Sequence, residues 1–230
     1  MKKKTFYTEA AYLCGLGLIA LGVALMEKAD FGVSMVVAPA YVLYRYVNPL
    51  WPPFTFGMAE YCFQAVLLGI MALALRRFRP AWLFSFLTAV IYGFILDGCM
   101  ALAAPLPAAA WWQRGLLYAG GMLLSAAGVA MMFRTYLSPE VYELFVKTVS
   151  GHFGIGISRF KTGYDCVSCV LAVALSFLCF GFGHFVGVRW GTAVCALING
   201  WLIGRCSALY DRLWDFKDRF AGRAFFLGRD

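Results

Sequence analysis

The chain has 230 residues, of which 62% are hydrophobic and 14% charged, and its mean hydropathy is +0.74. Soluble globular domains carry about 25% charged residues, so this composition excludes an ordinary soluble domain. Much of the net charge of +8 comes from basic loops between apolar segments. It therefore gives no evidence for binding to nucleic acid. We predict an integral membrane protein whose main partner is the lipid bilayer.

Six apolar segments are long enough to cross a membrane as helices, which takes about 20 residues each. None of them shows the alternation of a strand, and a helix satisfies its own backbone hydrogen bonds in lipid. The segments cover about 8–26, 57–75, 82–104, 114–134, 164–182 and 190–210. The predicted fold class is all-α, a polytopic membrane helix bundle with six transmembrane helices.

The basic residues set the predicted orientation. They concentrate before the first segment, in the second and fourth loops and in the tail, all of which lie on one side if there are six spans. The positive-inside rule then places the N- and C-termini in the cytoplasm. We interpret the first apolar segment as an uncleaved helix of a multi-pass protein in the bacterial inner membrane, because no small-residue cleavage site precedes Glu27.

The sequence contains an internal repeat. YLCGLGLIALGVALM at 12–26 returns 106 positions later as YAGGMLLSAAGVAMM at 118–132, with eight identical residues. Gly57 and Gly163 keep this offset, and AVIYGFI at 89–95 matches ALINGWL at 196–202 with an offset of 107. We predict one transmembrane domain, 1–210, with repeat 1 at about 8–104 and repeat 2 at about 114–210. Residues 211–230 are predicted as a cytoplasmic amphipathic tail, in helical form, on the inner leaflet.

Three spans per repeat predict inverted repeats, because an odd number makes the second copy enter the membrane from the opposite face. Each repeat also contains a short segment that cannot span. Residues 31–44 are interrupted by Gly32 and Pro39, and residues 138–149 begin with Ser138 and Pro139, a typical helix start. Both segments are either re-entrant half-helices or interfacial amphipathic helices.

Polar residues inside predicted spans are the candidate substrate- or ion-binding groups, because a membrane makes them costly. Asp97 and Tyr92 lie in the third span and Asn199 in the sixth. We expect them to share a pocket, unless Asp97 instead pairs with Arg114 or Arg189 near the headgroups.

Glu60 and Asp165 occupy nearly equivalent positions at the starts of the second and fifth spans, and Gln64 follows Glu60 by one helical turn. They either bind a proton or cation at each face or merely complement the helix dipole.

Other motifs indicate packing rather than chemistry. We expect four glycines to form small-residue ridges of tight helix contacts, either within the chain or in a homodimer: Gly187, Gly191, Gly200 and Gly204. His152 and His184 fall on opposite sides of the membrane, and Cys166 and Cys169 open a hydrophobic helix without further ligands. We predict no catalytic residues, no metal site and no cofactor.

Three glycine-containing stretches carry a resemblance to a known family. They are the Leu-Gly-Val-Ala-Leu run with its following Phe-Gly-Val-Ser, the Gly163-Tyr164-Asp165 start of the fifth span, and Gly187-Val-Arg-Trp-Gly191-Thr192 leading into 196–204. Over residues 8–210 the chain resembles the bacterial YczE/YitT-like membrane proteins, a largely uncharacterised group. The resemblance implies six helices and a transport role, with no defined substrate.

The sequence favours a small secondary transporter that moves an unidentified small molecule, coupled to protons or another ion, by alternating access between inverted repeats. Two alternatives stay open. One is a substrate-capture subunit that needs an ATPase partner, as vitamin-binding S-components do, and the other is a membrane assembly factor without a substrate.

Overall fold

The computed structural model describes residues 4–137, 140–155 and 157–219. This part of the chain forms helices joined by short loops, with one small strand near each terminus. In chain order the elements are β1 (Lys4–Tyr7), α1 (Thr8–Ala29), α2 (Ala38–Val47), α3 (Phe56–Leu75), α4 (Trp82–Ala103), α5 (Trp111–Met132), α6 (Val141–His152), α7 (Ile157–Phe180), α8 (Trp190–Leu213) and β2 (Trp214–Lys217).

Six of the helices are long and apolar enough to cross a membrane: α1, α3, α4, α5, α8 and the Gly163–Phe180 part of α7. The predicted all-α class with six membrane-length helices is therefore confirmed. Helix ends follow local chemistry. The Thr55 hydroxyl accepts a hydrogen bond from the Met58 N–H at the start of α3, and Asp30 and Arg76 end α1 and α3 in left-handed conformations with φ of 55° and 47°.

The centre of the bundle is the contact between α1 and α5. Gly15 lies against Gly128, and Gly22 lies against Gly121. A Cβ atom on Gly22 would lie 2.5 Å from the Gly121 carbonyl oxygen, and one on Gly128 would lie 2.6 Å from the Gly15 oxygen. Glycine permits this close approach of two backbones. Because residue numbers rise along α1 while they fall along α5, the two helices are antiparallel.

The remaining helices pack around this pair. α4 packs on α1, and α8 packs on α5. α2 lies between α3 and α7, and α6 likewise contacts both α3 and α7. α3 also packs along α4.

The two short helices begin inside the bundle. Gln64 hydrogen-bonds to Glu140 and Val141 at the start of α6, and it lies about 12 Å from the beginning of α3, given a rise of about 1.5 Å per residue. Val36, just before α2, packs against the same apolar cluster as Tyr142. The predicted helix start at Ser138 and Pro139 lies outside the described residues, and α6 begins at Val141.

The tail differs from its prediction. Residues 214–217 form a strand rather than part of an amphipathic helix, and β2 pairs in parallel with β1. The sequence Trp-Asp-Phe-Lys explains the difference, because it alternates aromatic and charged side chains with the period of a strand. Phe6 stacks on Trp214 with ring centroids 5.1 Å apart. This pairing brings the segments before α1 and after α8 together. Residues 220–230 lie outside the described part of the chain.

Candidate functional site

A cluster of buried acidic and phenolic side chains lies where α6 meets α3. Glu60 and Gln64 are one turn apart on α3, and both are 0% exposed. Glu140 and Tyr142 come from the start of α6 and are 7% and 5% exposed. We call these four residues the buried acid cluster. Two carboxyl groups buried at one helix junction are unusual, because burial penalises charge heavily.

Hydrogen bonds define the geometry of the buried acid cluster. The Tyr142 hydroxyl donates to Glu60 Oε2 at 2.9 Å, and the Gln64 amide nitrogen donates to Glu140 Oε2 at 3.2 Å. The Val141 N–H donates to Gln64 Oε1 at 3.0 Å. Because a backbone N–H can only donate, it fixes the Gln64 amide so that its NH₂ group faces Glu140.

Several polar atoms around the cluster lack a hydrogen-bond partner in the described part of the chain. They include Glu60 Oε1 and the hydroxyls of Tyr164 and of Tyr92, whose side chain is 1% exposed. Tyr92 comes from α4, and its hydroxyl interacts electrostatically with Glu140 and Glu60. It therefore lies in the neighbourhood of the acids. Unpaired polar atoms in a buried position are expensive, which indicates a place for a further ligand or proton.

Two more tyrosines surround the cluster. Tyr12 of α1 forms a hydrogen bond of 2.7 Å with Thr88 of α4 and interacts electrostatically with Glu140. Tyr164 of α7 interacts with Glu60. Side chains from five helices thus converge here.

The surroundings of Glu140 disfavour a negative charge on its carboxyl group. Burial raises the pKa of Glu140 well above its ordinary value, and the neighbouring carboxylates of Glu143 and Glu60 raise it further. The hydrogen bond from Gln64 lowers it by a smaller amount. Within the described residues, no basic side chain forms an ion pair with Glu60 or Glu140.

Asp97 lies at a different place, the start of α3. Its carboxylate accepts a hydrogen bond from the Thr55 hydroxyl at 2.6 Å and one from the Gly57 N–H at 2.8 Å. Arg114 and Arg189 pair instead with Asp30, at 3.0 and 2.7 Å. Asp97 thus joins α4 to the N-terminus of α3, where a negative charge is favoured.

The other predicted site residues lie in the second half of the bundle. The Asn199 side-chain oxygen accepts no hydrogen bond in the described structure, so no such bond links it to Tyr92. Asp165 is half-buried in α7 and interacts electrostatically with Tyr164 and with Cys195 of α8.

The four predicted packing glycines divide into two pairs. Gly187, with φ of 79°, lies beside Tyr41, and Gly191 packs against Phe31 in the α1–α2 connection. Gly200 and Gly204 have nothing within 4 Å of an added Cβ.

Comparison with known proteins gives one match. Residues 6–208 match a family of unknown function, DUF6198, and this range covers most of the chain. The chain belongs to this family. No curated protein and no solved structure matches it. The YczE/YitT-like resemblance stays a prediction.

For this member of DUF6198, sequence reasoning selected part of the buried acid cluster. Glu60, Gln64 and Tyr92 were predicted as candidates because they are polar groups in apolar segments. Glu140 and Tyr142 were missed as site residues, because an acid at the start of a short helix has an ordinary capping explanation. The available signal was a glutamate two residues before a tyrosine in a segment too short to span.

Proposed function

We propose that this chain is a small secondary transporter of the bacterial inner membrane that moves a small solute, coupled to an ion, by alternating access. The observation that carries the proposal is that the two halves make equivalent contacts at the centre of the bundle but differ at its edge, above all in the contact of α3 with α4. Inverted repeats with unequal arrangements are the typical design of such transporters.

The central contact supports an inverted relation of the halves. The repeat offset makes Gly121 the equivalent of Gly15 and Gly128 the equivalent of Gly22. When the halves are exchanged, the contact of Gly15 with Gly128 becomes the contact of Gly121 with Gly22, which is also present. Equivalent helices packed in antiparallel fashion are what a two-fold axis in the membrane plane requires.

Other contacts follow the same exchange. The packing of α4 on α1 corresponds to the packing of α8 on α5. The packing of α2 on α7 likewise corresponds to that of α6 on α3. Side chains agree as well. Tyr12 hydrogen-bonds to Thr88 in the first half, and the equivalent Tyr118 interacts with the equivalent Cys195 in the second.

The short helices support a site within the membrane. The beginnings of α2 and α6 lie inside the bundle, so we infer that both are re-entrant half-helices rather than interfacial ones. Half-helices that begin near the midplane line the substrate and ion sites of many transporters. The buried acid cluster lies at the beginning of α6.

The unequal contact supports two alternative conformations. Gly57 of α3 lies against Gly93 of α4, and a Cβ on Gly93 would lie 2.8 Å from the Gly57 oxygen. The equivalent residues, Gly163 of α7 and Gly200 of α8, have nothing within 4 Å of an added Cβ. In the second conformation α7 closes on α8 through these glycines, and α3 separates from α4.

A transport assay tests the proposal. Purified protein in liposomes is given a pooled metabolite library under an imposed pH gradient, and solute uptake is measured by mass spectrometry. We expect gradient-dependent uptake by the wild type and its loss in Gly163→Leu, because leucine prevents closure of α7 on α8. The matched control is Gly69→Leu, at an α3 glycine that also faces open space.

Absence of uptake by the wild type would overturn the transporter proposal. If a library compound still raised the unfolding temperature, the substrate-capture alternative would replace it. If no compound bound at all, the assembly-factor alternative would.

A further inference from the structure

The charge balance of the buried acid cluster requires a bound positive charge. Glu60 and Glu140 are both buried, and Gln64 hydrogen-bonds to Glu140 from the turn after Glu60. Around them the described elements contribute Tyr12 from α1, Tyr92 from α4, Tyr142 and Glu143 from α6, and Tyr164 from α7. None of these groups is a cation. Two buried carboxylates without a counter-charge do not both stay ionised.

The hydrogen bonds favour a proton over a metal ion. A sodium or other hard cation needs several oxygen lone pairs directed at one point. Here the Tyr142 hydroxyl and the Gln64 NH₂ group direct hydrogens at the two carboxyl groups, and the Gln64 oxygen is occupied by the Val141 N–H. Hydrogen-bond donors suit carboxyl groups that exchange a proton. The described residues also contain no group of three or more metal-ligating acids, histidines or cysteines.

Unpaired buried atoms give independent evidence for a missing hydrogen. Glu60 Oε1 and the Tyr92 hydroxyl are buried without partners among the described residues. An ionised Glu60 can only accept hydrogen bonds, whereas a protonated one also has a hydrogen to donate. A proton on the cluster therefore provides a donor where the structure has a buried oxygen without one.

We propose that Glu60 and Glu140 form a proton-binding site that holds at least one proton at neutral pH. Tyr142 and Gln64 position the two groups, and Tyr92 closes the site from α4. The site as such is independent of the transport proposal, but its role as the coupling site for a proton gradient rests on the proposed function.

The position of the site explains how a conformational change would reach it. Its acids come from α3 and from the start of α6, and α7 presents Tyr164 to Glu60. Movement of α7 towards α8 would withdraw Tyr164 from Glu60, and separation of α3 from α4 would move Glu60 away from Tyr92. Either movement changes the surroundings of the bound proton.

Infrared spectroscopy tests the site without any solute. The absorption of protonated carboxyl groups is recorded between acidic and alkaline pH, in H₂O and D₂O, for wild type, Glu60→Gln and Glu140→Gln. We expect a carboxylic acid band in the wild type at pH 7 that is shifted or weakened in each single variant. It should be lost only in the double variant Glu60→Gln/Glu140→Gln, because a single buried carboxyl without a counter-charge also keeps a proton. The matched control, Glu9→Gln, removes a carboxyl that also accepts a tyrosine hydrogen bond, from Tyr136 at 2.8 Å, and should leave the band unchanged.

A milder variant covers the case in which the glutamine variants do not fold. Tyr142→Phe keeps both acids and removes one hydrogen bond to the ionised form of the pair. We expect the pH at which the band disappears to rise by about one unit. A band absent from the wild type at pH 7, or one retained in the double variant, would overturn the proposal.

The two proposals fail separately. The infrared band needs neither a gradient nor a solute, so a proton site in a protein without uptake would refute the transport function alone. Uptake with no change of the band in the Glu60 and Glu140 variants would refute the proton site alone.

Discussion

At the scale of single residues, Asp97 shows that a carboxylate in an apolar helix can have a structural explanation. The sequence singles it out as costly in a membrane. In the structure its two oxygens accept hydrogen bonds from Thr55 and from the Gly57 backbone. These bonds satisfy donors at the start of α3, which a helix leaves free. Asp97 therefore joins α4 to α3 whether or not it also takes part in transport.

We predict that Asp97→Ala lowers the free energy of unfolding by about 1–3 kcal/mol, because it leaves the buried Gly57 N–H and the half-buried Thr55 hydroxyl without their acceptor. Thermal unfolding in detergent measures the effect. The control, Asp211→Asn, removes an exposed acid paired with Arg134 at 2.7 Å and should cost less than about 1 kcal/mol. Equal unfolding temperatures of Asp97→Ala and wild type would contradict the joining role.

The buried acid cluster was half predictable for a related reason. Glu60 and Gln64 lie one turn apart in an apolar helix, so the sequence alone places them on one face. Glu140 belongs to a short polar segment, and only its docking against α3 makes it a buried acid. That docking depends on tertiary contacts 76 positions apart in the sequence. No local pattern contains it.

At the scale of elements, the short helices illustrate the limit of pattern reasoning. α6 carries Glu143 and Lys147 along an otherwise apolar sequence, which is the composition of an interfacial helix. Its first residues nevertheless contact Gln64 in the middle part of α3. The sequence predicted two short segments but could not choose between these placements, because the contacts that bear on the choice come from another helix.

The two equivalent glycines of α3 and α7 give a matched prediction at this scale. Gly57→Leu should destabilise the protein by about 1–3 kcal/mol or more, because its side chain would overlap the Gly93 carbonyl and the Asp97 carboxylate. Gly163→Leu should change the unfolding free energy by less than about 0.5 kcal/mol, because nothing lies within 4 Å.

Unfolding temperatures of the two variants, measured side by side in the same detergent, check this prediction. Equal destabilisation by both leucines would mean that α7 and α8 already pack as α3 and α4 do. The proposed difference between the halves would then be absent.

At the scale of the whole molecule, the repeat was visible in the sequence as a nearly constant offset over three segments. The equivalence of Gly15 with Gly121 and of Gly22 with Gly128 needs no structure. The unequal closure of the halves was not predictable, because both copies keep the glycines that permit the contact. The sequence therefore does not tell which of the two pairs is in contact in the structure.

In the proposed mechanism the two halves of the bundle exchange arrangements about the α1–α5 centre. The proposed exchange is reciprocal, since closure of α7 on α8 would accompany separation of α3 from α4. A distance measured in only one half would not distinguish this exchange from local flexibility. Both pairs must therefore be measured.

Pulsed electron paramagnetic resonance in liposomes makes this measurement, with the eight native cysteines replaced and spin labels at exposed positions. One labelled pair joins α7 and α8 at Val170 and Leu197, and the other joins α3 and α4 at Val66 and Phe94. We predict two distances for each pair. Gly163→Leu should retain only the longer α7–α8 distance and the shorter α3–α4 distance. A single distance in both pairs, unchanged by Gly163→Leu, would contradict the alternating exchange of the two halves.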